Sequence, residues 1–353
     1  MEDLYKIFEE KFYFEITEFC NFHCPFCFNQ NENSFKNSIR LEDFKTIVSI
    51  INSHGCKKIL LTGGEPLTHK DIWPIVEFLD TLNFQVKILT NGYYLNDRWI
   101  DYFLKSPKHI LQISMDGANK ETHNFYRGKG SFEKNMEIIN ALFSSGYKNG
   151  ILRMTITQLN YHQVTDFLKL ALEKNFTPDL SFVQNSGIAK KYWEELKLSP
   201  EECLYVIKEI QDLKKEYPEK KLDFINLFPI TNCRILDNPP VLKPVITANG
   251  DVLPCNMMRT VIGNLLVDDY EQIFNSGLSK TSKKLNQLKS QKKKNVCSIC
   301  SVNKYCDGGC MGQLLFDKET DVFSTECSHI QAQIEYAITC TLNSMIVRRN
   351  ENG

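Results

Sequence analysis

The chain has 353 residues, with 42 lysines and arginines against 43 aspartates and glutamates for a formal net charge of -1. So even a balance leaves no basic field to hold nucleic acid or an anionic membrane surface, and the length allows one large unit plus a smaller one. The opening residues MEDLYKIFEE are acidic where a secretion signal needs positive charge, and no stretch approaches the roughly 20 uncharged apolar residues of a membrane span, so a cytoplasmic protein is expected.

From residue 12 to about residue 183, short β-rich runs alternate with stretches of helical period, the pattern of repeated β-α units around a parallel sheet. The expected strands are residues 13–17, 58–62, 85–90, 110–115, 152–156 and 179–183, with helices such as 41–52 and 161–173 between them. Six such units suit an α/β fold built as a partial (β/α)6 TIM-like barrel, whose chemistry sits in the loops at the C-terminal strand ends. Residues 1–198 would form that barrel. Ser199, Pro200, Glu201 and Glu202 make a strong helix start, with a capping hydroxyl, a first-turn proline and two early carboxylates. They open a bridging helix and linker over 199–230. Beyond it, 231–353 has irregular turns, glycine pairs and seven of the cysteines, so metal must replace much of the missing core, and a last helix over 328–347 closes it. The lysine-rich run 280–294 reads as one solvated helix face.

Thirteen cysteines are many for a reducing compartment, where clustered thiols point to metal rather than to disulfides. Cys20, Cys24 and Cys27 share one loop directly after the first strand. Cys233, Cys255, Cys297, Cys300, Cys306, Cys310 and Cys327 make a second group, and Cys56, Cys203 and Cys340 are scattered. Taken alone, the first group allows two metals. With His23 it could make a tetrahedral zinc site. As three thiolates it could hold a cubane iron–sulfur cluster with one iron left free of protein. The CxxC at Cys297 and Cys300 serves zinc or iron equally well.

Further landmarks follow the first group in order. Gly63-Gly64-Glu65-Pro66 closes the second expected strand, Thr90-Asn91-Gly92 the third and Ser114-Met115-Asp116-Gly117 the fourth, with Tyr126-Arg127-Gly128 after it. Together with Cys20-Asn-Phe-His-Cys24-Pro-Phe-Cys27, this series resembles the radical S-adenosylmethionine (SAM) superfamily. The resemblance implies a [4Fe–4S] cluster on Cys20, Cys24 and Cys27 whose open iron takes the amino and carboxylate groups of SAM, so that reduction gives methionine and a 5′-deoxyadenosyl radical. It further implies Gly63, Gly64 and Glu65 at the SAM ammonium, Thr90, Asn91 and Ser114 around the cofactor, and Asp116 as another contact. Arg127 would meet the SAM carboxylate and Phe26 the adenine. The second cysteine group resembles the SPASM extension of the same superfamily, which carries two auxiliary [4Fe–4S] clusters. Carried over, Cys297, Cys300, Cys306 and Cys327 close one of them, while Cys233, Cys255 and Cys310 hold the other with only three thiolates, for three clusters in all.

SPASM members mostly modify peptides or proteins. Their sulfatase-maturing branch carries a general-base aspartate directly after the cysteine matching Cys255, where this chain has Asn256, which cannot take a proton. The resemblance therefore favours a maturase that forms a thioether, a carbon–carbon cross-link or a related oxidation in a ribosomally made peptide. A radical SAM enzyme for a small metabolite or a cofactor precursor is the alternative. An iron–sulfur electron carrier or a structural zinc protein would have no use for the Gly63–Pro66 and Arg127 motifs. The expected partners are a peptide or protein substrate and a flavodoxin- or ferredoxin-type electron donor. A separate leader-peptide-binding protein is also expected, because few residues precede the first strand.

Overall fold

Alternation decides the core. In the computed structural model, which describes residues 11–28, 37–218, 233–236, 242–294 and 296–306, Phe12, Phe14 and Ile16 occupy every second position of the first strand and are at most 2% exposed. The strands β1 (Lys11–Thr17), β2 (Lys58–Gly63), β3 (Gln85–Thr90), β4 (Ile110–Ser114), β5 (Gly150–Ile156) and β6 (Thr177–Phe182) lie side by side in sequence order, all parallel. Between them run α1 (Leu41–Ser53), α2 (Ile72–Thr81), α3 (Asp97–Lys105), α4 (Lys120–Arg127), α5 (Ser131–Ser144) and α6 (Val164–Glu173). These helices press apolar stripes such as Phe44, Ile47, Val48 and Ile51 of α1 into one continuous core with the outward-facing strand residues.

The other face of the strands is polar. Glu15, Thr62, Lys87, Gln112, Arg153, Thr155 and Asp179 take the alternate positions, which places them on the concave side of the sheet. The sheet curls far enough that Lys87 on β3 feels Asp179 on β6; burial pushes its ammonium down to about 8, against the opposing pull of Asp179. Arg153 donates from Nη1 to Asp179 and from Nη2 to Ser181 Oγ (2.9 Å), tying β5 to β6 inside the curl. Among the described residues β6 is the last strand on its side of the sheet, where Pro178, lacking an N–H, is tolerated. The architecture is the expected partial (β/α)6 barrel.

A short helix α7 (Trp193–Leu196) precedes α8 (Pro200–Glu216). Ser199 caps α8 reciprocally: its hydroxyl accepts from Glu202 N (3.2 Å), and the Glu202 carboxylate accepts from Ser199 N (2.7 Å). α8 buries Cys203, Val206, Ile210 and Leu213, and Thr165 on α6 donates to Glu209 (2.6 Å).

The cysteine-rich part joins the same sheet. β7 (Val245–Ile246) runs parallel to β1, pairing Val245 with Tyr13 and Ile246 with Phe14, and β8 (Asp251–Leu253) and β9 (Gly263–Asn264) follow antiparallel to give nine strands among the described residues. Then come α9 (Tyr270–Gln272), a π turn over Ile273–Gly277 and α10 (Leu278–Lys294). The lysine-rich run is α10, and it is not solvated throughout: Lys280, Lys283 and Lys284 are exposed, whereas Lys292 is buried beside the helix's apolar side. The expected helix over 328–347 lies outside the described residues. Among those described, no helix is long and apolar enough to cross a membrane.

Arg259 makes the second tie to β1. Its Nη1 and Nη2 donate to Glu15 Oε1 (2.7 Å) and Oε2 (2.9 Å), a bidentate pair on a carboxylate that is 5% exposed. Replacing Arg259 by Met leaves that carboxylate buried alone and should cost about 2 kcal/mol, less than for a fully buried pair because Arg259 is partly exposed. Urea unfolding of the metal-free protein measures this. A further Glu15→Gln change should recover part of the loss.

Candidate active site

β1 ends at Thr17, and the chain passes at once into the loop bearing Cys20, Cys24 and Cys27. The end of β2 is laid against that loop, backbone to backbone. Gly64 N donates to the Thr17 carbonyl (2.7 Å) and Glu65 N to the Phe19 carbonyl (2.7 Å). A Cβ on Gly64 would stand 2.1 Å from the Phe19 oxygen, and one on Gly63 2.1 Å from the Thr17 oxygen, so only glycine permits the approach.

Glu65, 1% exposed, gathers the neighbouring strand end. Its Oε1 accepts from Leu67 N (3.1 Å) and Thr90 Oγ1 (2.6 Å), and its Oε2 accepts from Asn91 N (2.7 Å). The Asn91 amide in turn donates to Asn21 Oδ1 (2.8 Å) within the cysteine loop. Burial pushes the Glu65 carboxyl up to about 7, against the pull of these donors and of Arg127. Glu65 was expected to accept from a ligand ammonium; in the structure three protein donors already engage its two oxygens.

These loops enclose a cavity of about 180 Å³. Cys20, Cys24 and Cys27 line it together with Phe26, Gly63, Gly64, Glu65, Thr90, Asn91, Ser114 and Arg127. Burial pushes the Cys20 thiol up to about 11 and the Cys24 thiol to about 12, and the Arg127 guanidinium opposes both shifts. Phe26 packs edge-on against Tyr126 (5.0 Å between centroids) beneath Arg127. His23 is exposed and does not line the cavity, so the fourth ligand of the zinc alternative is not brought to the thiols. Three soft thiols with a cation among them fit an iron–sulfur cluster that leaves one iron open.

Asp116 departs from its expected place. It is 0% exposed and does not line the cavity; its Oδ2 accepts from Arg127 Nε and its Oδ1 from Thr155 N (2.8 Å). It therefore holds other residues of the site and is not itself presented to a ligand there. Conversely, Gln112, Arg153 and Thr155 line the cavity without having been foreseen. Their signal was available, since inward positions near the C-terminal ends of β4 and β5 follow from strand alternation.

In the second cysteine group, Cys233 lies near enough to Cys255 to help burial raise its thiol to about 11, and Cys300 and Cys306 both pack on Val302. Cys297 and Cys300 share the turn Val296–Ile299 and its continuation, with Cys300 N donating to the Cys297 carbonyl (3.3 Å). Cys310 and Cys327 lie outside the described residues. Because the Gly64 contact is backbone to backbone, Gly64→Ala should displace the cysteine loop and reduce iron incorporation on anaerobic reconstitution well below the parent's. Iron and sulfide analysis beside a circular dichroism spectrum checks this, the spectrum showing that the rest of the fold survives.

Residues 14–171 match the family profile described as the radical SAM superfamily, and residues 243–301 the SPASM profile, described as an iron–sulfur cluster-binding domain. The mycofactocin maturase MftC of Mycobacterium ulcerans is 25% identical over 86% of this chain and 83% of its own length. The subtilosin biosynthesis protein AlbA of Bacillus subtilis is 27% identical over 84% of this chain and 66% of its own. Among solved structures, Streptococcus suis SuiB bound to SAM superposes with a TM-score of 0.70 at 18% identity, covering 92% of this chain and 80% of that one, which shows the shared fold. With both profiles matched in order and three thiols gathered in one cavity, the chain belongs to the radical SAM superfamily, among the members that carry a SPASM extension.

Proposed function

We propose that this protein reductively cleaves SAM and directs the resulting 5′-deoxyadenosyl radical at a ribosomally made peptide, abstracting hydrogen to install a thioether, a carbon–carbon cross-link or a related oxidation. The observation that carries the reading is the cavity at the ends of β1 to β5, which Cys20, Cys24 and Cys27 line together with Ser114, Arg127, Arg153 and Thr155. When bound, the cluster and SAM supply the one-electron chemistry. The chain's own groups do the rest. The three cysteines hold the cluster, Arg127 receives the SAM carboxylate, Phe26 flanks the adenine, and the backbone at Gly63 and Gly64 fixes the loop. The apolar rings of Phe22, Phe26 and Phe28 complete the lining of the cavity. The peptide assignment draws on relatives named as a maturase and as a bacteriocin biosynthesis protein. Among the described residues no further strand pairs with β6, and that edge would admit an extended chain.

The reading includes two auxiliary clusters, on Cys297, Cys300, Cys306 and Cys327 and on Cys233, Cys255 and Cys310. It also includes a cytoplasmic setting, a flavodoxin- or ferredoxin-type donor and a small leader-binding partner. Reconstitution should then plateau at about twelve irons per chain, and a plateau near four with bound zinc would refute the auxiliary clusters. Replacing Cys20, Cys24 and Cys27 together by Ala should abolish 5′-deoxyadenosine. Replacing Cys297 and Cys300 should spare some uncoupled SAM cleavage while ending product formation.

The substrate is tested by incubating the reduced enzyme with SAM and the short peptides encoded beside its gene, with and without any small neighbouring protein. Mass spectrometry should show hydrogen loss on one of them. No modified peptide, together with turnover of a small metabolite and stoichiometric 5′-deoxyadenosine, would replace this reading with the small-molecule one.

A further inference from the structure

The guanidinium of Arg127 lines the cavity and is almost wholly buried, yet among the described residues only one of its hydrogen-bond donors has a protein acceptor. An arginine carries five N–H donors in a rigid fork. Here the Nε–H goes to Asp116 Oδ2, so the two Nη groups, the pair that grips a carboxylate in bidentate fashion, are left for the cavity. Burial by itself would lower the pKa of this side chain; Asp116 and the Cys24 and Cys20 thiols hold it raised.

What keeps the fork in that attitude is Asp116, and Asp116 cannot easily move. Its second oxygen accepts from Thr155 N on β5 (2.8 Å), its backbone N–H donates to His123 Nδ1 (3.2 Å), and its carbonyl accepts from Asn160 Nδ2 (3.0 Å). Asn160 is bound in turn to the Thr155 carbonyl (2.9 Å) and by Thr157 N (2.7 Å). His123 thereby keeps its proton on Nε2, and burial, with Arg127 beside it, lowers its pKa to about 4, so no second cation competes for the aspartate. The carboxylate is thus fixed to the ends of β4 and β5 and, from outside the cavity lining, accepts the Nε–H of the guanidinium.

We propose that Asp116 is a positioning residue which, by taking the Nε–H of Arg127, turns both Nη groups to the cavity as a preformed receptor for the carboxylate of SAM. This rests on the reading of the cavity as the SAM site and gives a sequence landmark without cavity exposure a defined task. It requires no titration and no contact between Asp116 and the cofactor.

The test compares binding of SAM with binding of decarboxylated SAM, by equilibrium dialysis on the iron-loaded protein. The parent should prefer SAM. In Asp116→Asn the amide can still accept from Thr155 N but sets an N–H₂ against the Nε–H of Arg127, so the preference for SAM should fall by about tenfold or more, while the decarboxylated analogue binds nearly as before. A residue that served the fold alone would weaken both ligands alike. In an Arg127→Ala background, Asp116→Asn should add less than about twofold, since the aspartate acts through the arginine. An unchanged preference in Asp116→Asn, or losses that multiply across the pair, would overturn the proposal. Should Asp116→Asn fail to hold iron, Arg127→Lys decides: its single ammonium lacks the fork and should lose the preference, and retention of it overturns the proposal. A parent that holds its iron but binds no SAM would instead sink the reading of the cavity itself, and this inference with it.

Discussion

The buried carboxylate of Glu65 is the constraint on which the site depends. It lies where the ends of β2 and β3 meet the cysteine loop, and it satisfies two backbone N–H groups and a hydroxyl that would otherwise be buried without acceptors. An unsatisfied donor of that kind costs about 1–3 kcal/mol, so the ends of β2 and β3 are coupled through the carboxylate, and the Asn91 amide on Asn21 and the Glu65 N–H on the Phe19 carbonyl carry the coupling on to the cysteine loop. The close glycine contacts at Gly63 and Gly64 depend on the same arrangement, because they hold β2 to the loop only while the backbone stays in register with Thr17 and Phe19.

A second layer of the same logic lies at β4 and β5. Asp116 joins Arg127 to Thr155, and Asn160 locks the turn beneath them. Thiols, glycines and arginine thus reach one cavity from the ends of β1, β2 and β4; buried polar networks hold the β2 end and the arginine, while Cys24 and Phe26 of the cysteine loop also pack into the apolar core. The apolar residues sit on the other side of the sheet, against the helices, where Phe14, Ile59, Ile88, Ile113 and Met154 are fully buried. That division frees the concave face for Gln112, Arg153 and Lys87, side chains a closed, packed barrel could not house.

The strands of the barrel were legible because that division imposes an apolar–polar alternation with a period of two. β3 came out as 85–90 on the alternation of Val86, Ile88 and Thr90. β6 starts two residues before its expected position, at Thr177, because proline argues against a strand unless that strand is known to be an edge, which only the assembled sheet reveals. β7 and β9, of two residues each, are too short for any periodicity, and their place beside β1 is a tertiary fact. In the site, the cysteine spacing and the glycine pair were readable because each is a local requirement. Asp116 and Arg259 were not, since a side chain's direction out of a turn, or across to Glu15, is fixed by contacts remote in sequence.

The pairing of β7 with β1 has a consequence for how the molecule is divided. β1 is an interior strand only because β7 covers it; Tyr13 N finds its acceptor in the Pro244 carbonyl. A chain cut before β7 would expose a bare parallel edge beside Phe12 and Phe14, an invitation to strand pairing between copies and so to aggregation. The barrel and the cysteine-rich segment are therefore neighbours in sequence that share one sheet through the β1–β7 pairing.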